Sequence, residues 1–180
     1  MRIVAGKYKS RIISAPEGIN TRPTSDRTRE SMFNVIAHYI YDANVLDIFS
    51  GSGALGIEAL SRGAKKVTFV DSDLNAIKCI KSNLKTLKIN ENIIIKNESY
   101  EAIKNIGNEK FDIILLDPPY ALNVFDEIMG IINDNNLLAN NGVIVYESNE
   151  ENSLKKDYDG YVLKVKKYGI AYVNFLFKIN

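Results

Sequence analysis

Val45-Leu46-Asp47-Ile48-Phe49-Ser50-Gly51-Ser52-Gly53-Ala54-Leu55-Gly56 is the stretch that decides how this chain folds. Residues 45–49 are an apolar run broken only by Asp47, the pattern of a strand buried on both faces of a parallel sheet. Gly51, Gly53 and Gly56 then spell G-x-G-x-x-G between that strand and an apolar helix over 54–62, the context in which the motif carries meaning. Gly51 and Gly53 let backbone approach a ligand, and Gly56 lets the helix lie close to the sheet. A bound nucleoside is the expectation.

Working outward, strands are expected at 66–70, 93–95, 111–116 and 143–146, with helices at 74–88, 99–106 and 123–137 between them. Two β-runs at 161–168 and 171–178, joined at Gly169, close the chain as a hairpin. Upstream, Arg2 to Ile13 reads as a short hairpin. Thr24 and Ser25 are candidate N-caps for a helix whose apolar stripe is Met32, Phe33, Ile36 and Ile40. The alternation predicts an α/β doubly wound, Rossmann-like sheet, mostly parallel, with an antiparallel C-terminal hairpin. The 180 residues are expected to form one domain, with residues 1–40 extending a cofactor-binding core over 41–180.

Asp71 ends the second strand, 20 residues after Gly51, where a carboxylate accepts hydrogen bonds from ribose hydroxyls. A nicotinamide dinucleotide would need its pyrophosphate at the helix N-terminus. Asp47, four residues ahead of Gly51, repels such a group and suits the ammonium of S-adenosylmethionine. Asp71 serves either cofactor. Phe49, Ser50 and Ser72 complete the two loops.

Asp117-Pro118-Pro119-Tyr120 follows the run at 111–116. Two prolines lack N–H donors and fix φ, so they end the strand on a stiff turn. At the carboxyl edge of an α/β sheet, an acid, a rigid carbonyl and an aromatic ring suit a planar base bearing an amino group. A Pro-Pro loop with a surface acid and tyrosine is the plain alternative. The reaction that fits is methyl transfer to an exocyclic nitrogen. Asp117 and the Pro118 carbonyl would each accept one N–H, and Tyr120 would stack on a flipped or unpaired base.

Net charge is +1, but it is unevenly spread. Five of six arginines (Arg2, Arg11, Arg22, Arg27 and Arg29) lie in the first 29 residues, joined by Lys7 and Lys9 and opposed before residue 31 only by Glu17, Asp26 and Glu30. Arginine's planar fork reads phosphates and base edges, so these seven cations are candidate RNA contacts; pairing with Asp26 and Glu30 is the alternative. A second cluster, Lys164, Lys166 and Lys167, reads equally as a contact or a solvated face. Cys79 and His38 are each the only one of their kind, which leaves no cysteine- or histidine-based metal site, and no metal is expected. No apolar run reaches the roughly 20 residues that span a bilayer, and no signal peptide leads the chain. A cytoplasmic protein without a membrane partner is expected, here as a monomer.

Asp117 to Tyr120 together with the glycine loop resembles the class I amino-methyltransferases. Residues 1–11, the segment Arg22-Pro23-Thr24-Ser25-Asp26-Arg27-Thr28-Arg29-Glu30 through Asn34, and residues 46–63 narrow the resemblance to the RsmD family. The likeness covers essentially the whole chain. It implies transfer of a methyl group from S-adenosylmethionine to N2 of a guanine in 16S rRNA at a G966-type site, within a 30S subunit or an assembly intermediate. It places Asp47, Gly51, Gly53 and Asp71 on cofactor positions and 117–120 on the catalytic loop. Glu98-Ser99 takes the adenine-contacting position, where family members often carry Asp or Asn followed by Ala; Ser50 stands where alanine is common. Competing readings are an adenine-N6 methyltransferase of DNA or RNA, for which the chain has no separate target-recognition domain, a nicotinamide-dependent oxidoreductase, and a non-catalytic rRNA-binding assembly factor.

Overall fold

The structure is a computed structural model that describes residues 1–16, 25–119, 122–150, 154 and 158–179. Arg22, Thr24 and Tyr120 lie outside the described residues. The chain forms β1 (Asn44–Ile48), β2 (Lys66–Asp71), β3 (Ile93–Asn97), β4 (Phe111–Leu116), β5 (Leu138–Ser148), β6 (Tyr161–Tyr168) and β7 (Ala171–Lys178) in one seven-stranded sheet of order β3-β2-β1-β4-β5-β7-β6. Pairs among β1 to β5 are parallel, and β7 runs antiparallel to both β5 and β6. The order reverses between β1 and β4, the switch point at which doubly wound sheets open a crevice.

Register aligns the carboxyl ends of the parallel strands. Lys96 pairs with Val70, Val70 with Ile48, Ile48 with Leu116 and Leu116 with Tyr146. The residues one step beyond that row, Asn97, Asp71, Phe49, Asp117 and Glu147, therefore share one edge of the sheet.

Helices α1 (Asp26–Val35), α2 (Ala37–Ile40), α3 (Ala54–Ser61) and α4 (Leu74–Leu87) complete the amino-terminal half, and a 3₁₀ helix (Tyr100–Asn105) and α5 (Phe125–Asp134) the rest. Ser25 caps α1 by accepting from the Thr28 N–H. Met32, Phe33, Ile36 and Ile40 are all buried, although the helix breaks at Ile36. Three elements differ from their expected form. The helix expected at 99–106 is a 3₁₀ turn, and α5 stops at Asp134, beyond which Asn136 adopts φ 48°. Strand β5 starts five residues early, because it first pairs Leu138 with Phe111 and resumes at Val143 after a bulge holding Asn141 at φ 60°. An Asn-Asn-Gly sequence reads as a turn, and here it is a kink within a strand.

The sheet carries one apolar core on each face. One packs α1, α3 and α4 against Val45, Phe69, Ile113, Val145 and Phe175; the other packs α5 against Leu46, Ile114 and Ile144. Gly56 sets the first packing distance, since an added Cβ would stand 2.4 Å from Phe69 and 2.8 Å from Val67. Among the described residues no helix is long and apolar enough to cross a membrane, and no acid, histidine or cysteine cluster could hold a metal.

The amino-terminal arm is a single Arg2–Ile12 bridge around a turn, smaller than the expected hairpin. Polar groups on α3 moor it. Glu58 is fully buried; its carboxylate accepts from the N–H groups of Val4 (2.8 Å) and Ala5 (3.0 Å) and from Arg62 Nε (2.7 Å). Lys7 N–H donates to the Ser61 carbonyl and Tyr8 N–H to the Ser61 hydroxyl. A Cβ on Gly6 would meet the Ser61 carbonyl oxygen at 1.8 Å, and φ there is +80°, so only glycine lets the turn approach. Glu58→Ala would strand the Arg62 guanidinium, the fully buried Arg29 guanidinium 3.8 Å away and two backbone donors. A cost of about 3–5 kcal/mol in urea unfolding is expected, with faster proteolysis of the first 16 residues; a variant within 1 kcal/mol of the parent would contradict the mooring.

Candidate active site

Asp47 lies at the heart of the site, on β1 and 1% exposed. Its Oδ2 accepts the Gly56 N–H at 2.9 Å, which ties the sheet to the first turn of α3. Burial pushes the carboxyl up to about 7; the Gly56 bond opposes the shift and the Asp71 charge adds to it. A group so placed ionises readily when a cation arrives beside it.

The loop after β1 is pinned by its neighbours. Phe49 holds φ 60°, a strained conformation for an aromatic residue, and its ring lies 5.6 Å from that of Tyr100. The Ser50 hydroxyl donates to the Asp47 carbonyl at 2.6 Å and accepts the Val70 N–H at 3.0 Å. Ser50, expected at the cofactor, thus spends its hydroxyl buried between two strands, a tie that alanine could not make. Gly51 and Gly53 adopt positive φ, and a Cβ on Gly51 would meet nothing closer than 4.0 Å, so the loop presents open backbone there.

Asp71 joins the two loops: Oδ2 accepts from Gly51 N–H (2.8 Å) and Oδ1 from Asp73 N–H (2.9 Å). Each oxygen keeps a second acceptor site. Ser72 and Glu98 are exposed beside it, with the Glu98 N–H donating to the Asp71 carbonyl. Asn97, unmarked in the sequence reading, donates its amide to the carbonyls of both Asp71 and Ser72. Asn83 on α4 was missed as well. Buried, it donates to the carbonyls of Ser52 in the glycine loop and Ser14 in the arm, and accepts the Ser14 N–H. Both are asparagines in an asparagine-rich chain, so neither stood out. Cys79 is buried beside Asn83, consistent with a packed thiol.

Across the switch point, Asp117 is half-buried, Pro118 buried and Pro119 exposed, with the Pro119 carbonyl accepting the Leu122 N–H at 2.8 Å. Because Ile48 pairs with Leu116, the Asp117 turn and the glycine loop leave adjacent strands side by side. The Asp117 charge helps raise the Tyr146 phenol, after burial and Glu150 in that order.

The arm's cations divide. Lys7, Lys9, Arg11 and Arg27 are exposed, and Arg2 is exposed but bonded to Asp26 at 2.8 Å. Arg29 corrects an expectation: it is fully buried, donating to the Arg2 carbonyl at 2.6 Å and to Asp26 at 2.7 Å, so its guanidinium holds the arm and does not face RNA.

The pH response of Asp47 has a definite sign. Its folded carboxyl titrates near 7 against 3.8 for an ordinary one, so the stability it lends is full below that ordinary value and disappears as pH rises through 7. Asp47→Asn is neutral throughout and keeps an acceptor for Gly56. Its urea midpoint is expected to fall less than the parent's between pH 5 and 8 and to exceed it at pH 8; parallel curves would contradict the assignment.

Comparison with known proteins follows the same lines. The chain is 38% identical over 175 residues to "Putative rRNA methyltransferase YlbH" of Bacillus subtilis, covering 95% of each. It is 37% identical over 174 residues to "Ribosomal RNA small subunit methyltransferase D" of Haemophilus influenzae, covering 95% of this chain and 90% of that one. A solved "Putative methyltransferase yhhF from Escherichia coli" superposes with a TM-score of 0.88 at 34% identity, covering 99% of this chain and 98% of the other. The family model described as "Conserved hypothetical protein 95" matches residues 1–177. With a seven-stranded switch-point sheet, the glycine loop and the Asp-Pro-Pro turn all in place, the chain belongs to that family, the RsmD family.

Proposed function

We propose that this protein transfers a methyl group from S-adenosylmethionine to the exocyclic N2 amine of a guanine in the 16S rRNA of a small ribosomal subunit or its assembly intermediate. The observation that carries the reading is the pairing of Ile48 with Leu116, which sets the glycine loop and the Asp117 turn on neighbouring strands at the switch point. The names borne by the relatives supply the RNA class.

The residues present fit this cofactor. Asp47 is a buried acid suited to an ammonium, Asp71 keeps acceptor capacity for ribose hydroxyls, and the open backbone at Gly51 leaves room between them. Two carboxylates flanking the loop oppose a pyrophosphate. Glu98 and Ser99 would border the adenine, with Phe49 at the loop's outer side. When bound, the cofactor supplies an electrophilic methyl group.

The chain's own contribution is positioning. A guanine N2 lone pair is delocalised into the ring, so the amine is a weak nucleophile until its geometry changes. The Asp117 carboxylate and the Pro118 carbonyl each accept one N–H, which fixes the NH₂ group and favours a tetrahedral nitrogen whose lone pair faces the methyl. The surplus proton on the methylated nitrogen then leaves to the Asp117 carboxylate or to water. Holding the reactants in line and stabilising the charge that develops on nitrogen contribute several kcal/mol each. Pro118 and Pro119 keep the turn stiff, and Tyr120 stacks on the base, worth about 1–3 kcal/mol. Residues 1–40 form the RNA-contacting extension of the 41–180 core, with Arg2, Lys7, Lys9, Arg11, Arg22 and Arg27 on phosphates.

The test is to incubate the protein with labelled S-adenosylmethionine and undermodified small subunits or their rRNA. Label is expected in N2-methylguanosine, and label in N6-methyladenosine would replace the substrate claim. Asp117→Ala is expected to keep S-adenosylhomocysteine affinity in calorimetry while turnover falls about 10²–10³-fold; an equal loss of cofactor affinity would move Asp117 to a binding role. In the same calorimeter NADH is expected to give no heat.

A further inference from the structure

A groove of about 690 Å³ opens on the face of the sheet covered by α1, with Ser31, Asn34 and His38 on one wall and Lys164, Lys166 and Lys167 along the other. None of its described lining residues is acidic. We propose that this groove binds the phosphate backbone of the substrate RNA a few nucleotides away from the base held at Asp117, an inference that rests on the RNA reading above.

Three observations converge. The first is register. Leu116 pairs with Tyr146, the next residue Glu147 pairs with Val173, and Val173 pairs with Lys166. Lys166 therefore stands level with Asp117 on the same edge of the sheet, three strand spacings or about 14 Å away. The second is the helix wall. Ser31, Asn34 and His38 recur at helical spacing, and the same stripe runs back to Arg27 at the first turn, which is exposed. The hydroxyl of Ser31, the amide of Asn34 and the ring of His38 thus line up opposite the lysines, with Arg27 further along the same stripe beyond the groove lining. Glu30 is the acid on that side of α1, outside the groove lining.

The third is the strand wall. Lys164, Lys166 and Tyr168 alternate along β6 and so project to one face, and Tyr168 packs against the core beneath α1. Lys167 has the opposite parity: it pairs with Tyr172 and its ammonium lies over that ring at 5.1 Å, so the wall's charge on this face comes from Lys164 and Lys166. Lysines on an edge strand also discourage pairing with another sheet, but that role needs no facing wall of donors. Here a helix stripe of polar side chains faces them across the groove, so one wall supplies hydrogen-bond donors and the other positive charge, matching a polyanion.

The decisive experiment compares the parent with Lys164→Gln/Lys166→Gln and with a charge-matched control, Lys65→Gln/Lys88→Gln, at the opposite edge of the sheet. Binding to protein-free 16S rRNA and to undermodified subunits is measured against salt, and methylation is measured separately. The groove variant is expected to bind rRNA about tenfold more weakly, with the slope of log K against log salt reduced by roughly 1.5. Its KM for RNA should rise with kcat, S-adenosylhomocysteine affinity and melting temperature unchanged, while the control behaves as the parent. Parent-like affinity and slope in the groove variant would overturn the proposal. So would a loss seen with subunits but not with free rRNA, which would assign the groove to a ribosomal protein. Binding without methyl transfer by the parent would sink the proposed reaction and leave the groove standing, so the two failures are distinguishable.

Discussion

Helix α3 is held at both ends by buried carboxylates, and the working parts of the molecule depend on that constraint. At its first turn Asp47 takes the Gly56 N–H, fixing the glycine loop over the carboxyl edge of the sheet. Near its last turn Glu58 takes two arm N–H groups and an arginine. Burying two carboxylates against one short helix is costly unless each is hydrogen-bonded. Glu58 has three donors within 3.0 Å, whereas Asp47 has one and a raised pKa. The first is a structural anchor. The second retains capacity for a cationic partner, and that difference is the physical basis for assigning it to the cofactor.

The same helix couples the two halves of the proposed function. The glycine loop begins α3 and the arm docks on its end, while Asn83 bonds the carbonyls of Ser52 and Ser14 from α4. The loop and the arm are thereby fixed to one frame, so under the proposed function RNA held by the arm would arrive at a set distance from the methyl donor. Precision of this kind matters for a reaction that relies on placing a weak nucleophile.

How far the sequence was legible follows from what each residue announces. Strands β4, β6 and β7 were readable to the residue because apolar runs are bounded by Pro-Pro and by a glycine turn. The places of Asp47, the glycines and Asp71 on β1, around the start of α3 and at the end of β2 were readable because their spacing from strand ends is itself the signal. Glu58 was not: an acid in a helix resembles a surface residue until the arm that covers it is in place. Arg29 shows the converse, since an arginine in a basic segment reads as a nucleic-acid contact or as a partner of Asp26 or Glu30, and three-dimensional packing selects Asp26 and adds the Arg2 carbonyl. The groove lysines remained ambiguous because their facing wall is about 130 residues away in the chain.

The central claim is that one guanine of small-subunit rRNA acquires its N2-methyl group here. Mass-spectrometric mapping of 16S rRNA from cells lacking the protein, before and after restoring it, tests this most directly. The account predicts a single N2-methylguanosine that is lost with the protein, returns with the parent and stays absent with Asp117→Ala. An unchanged N2-methylguanosine map across all three would contradict it.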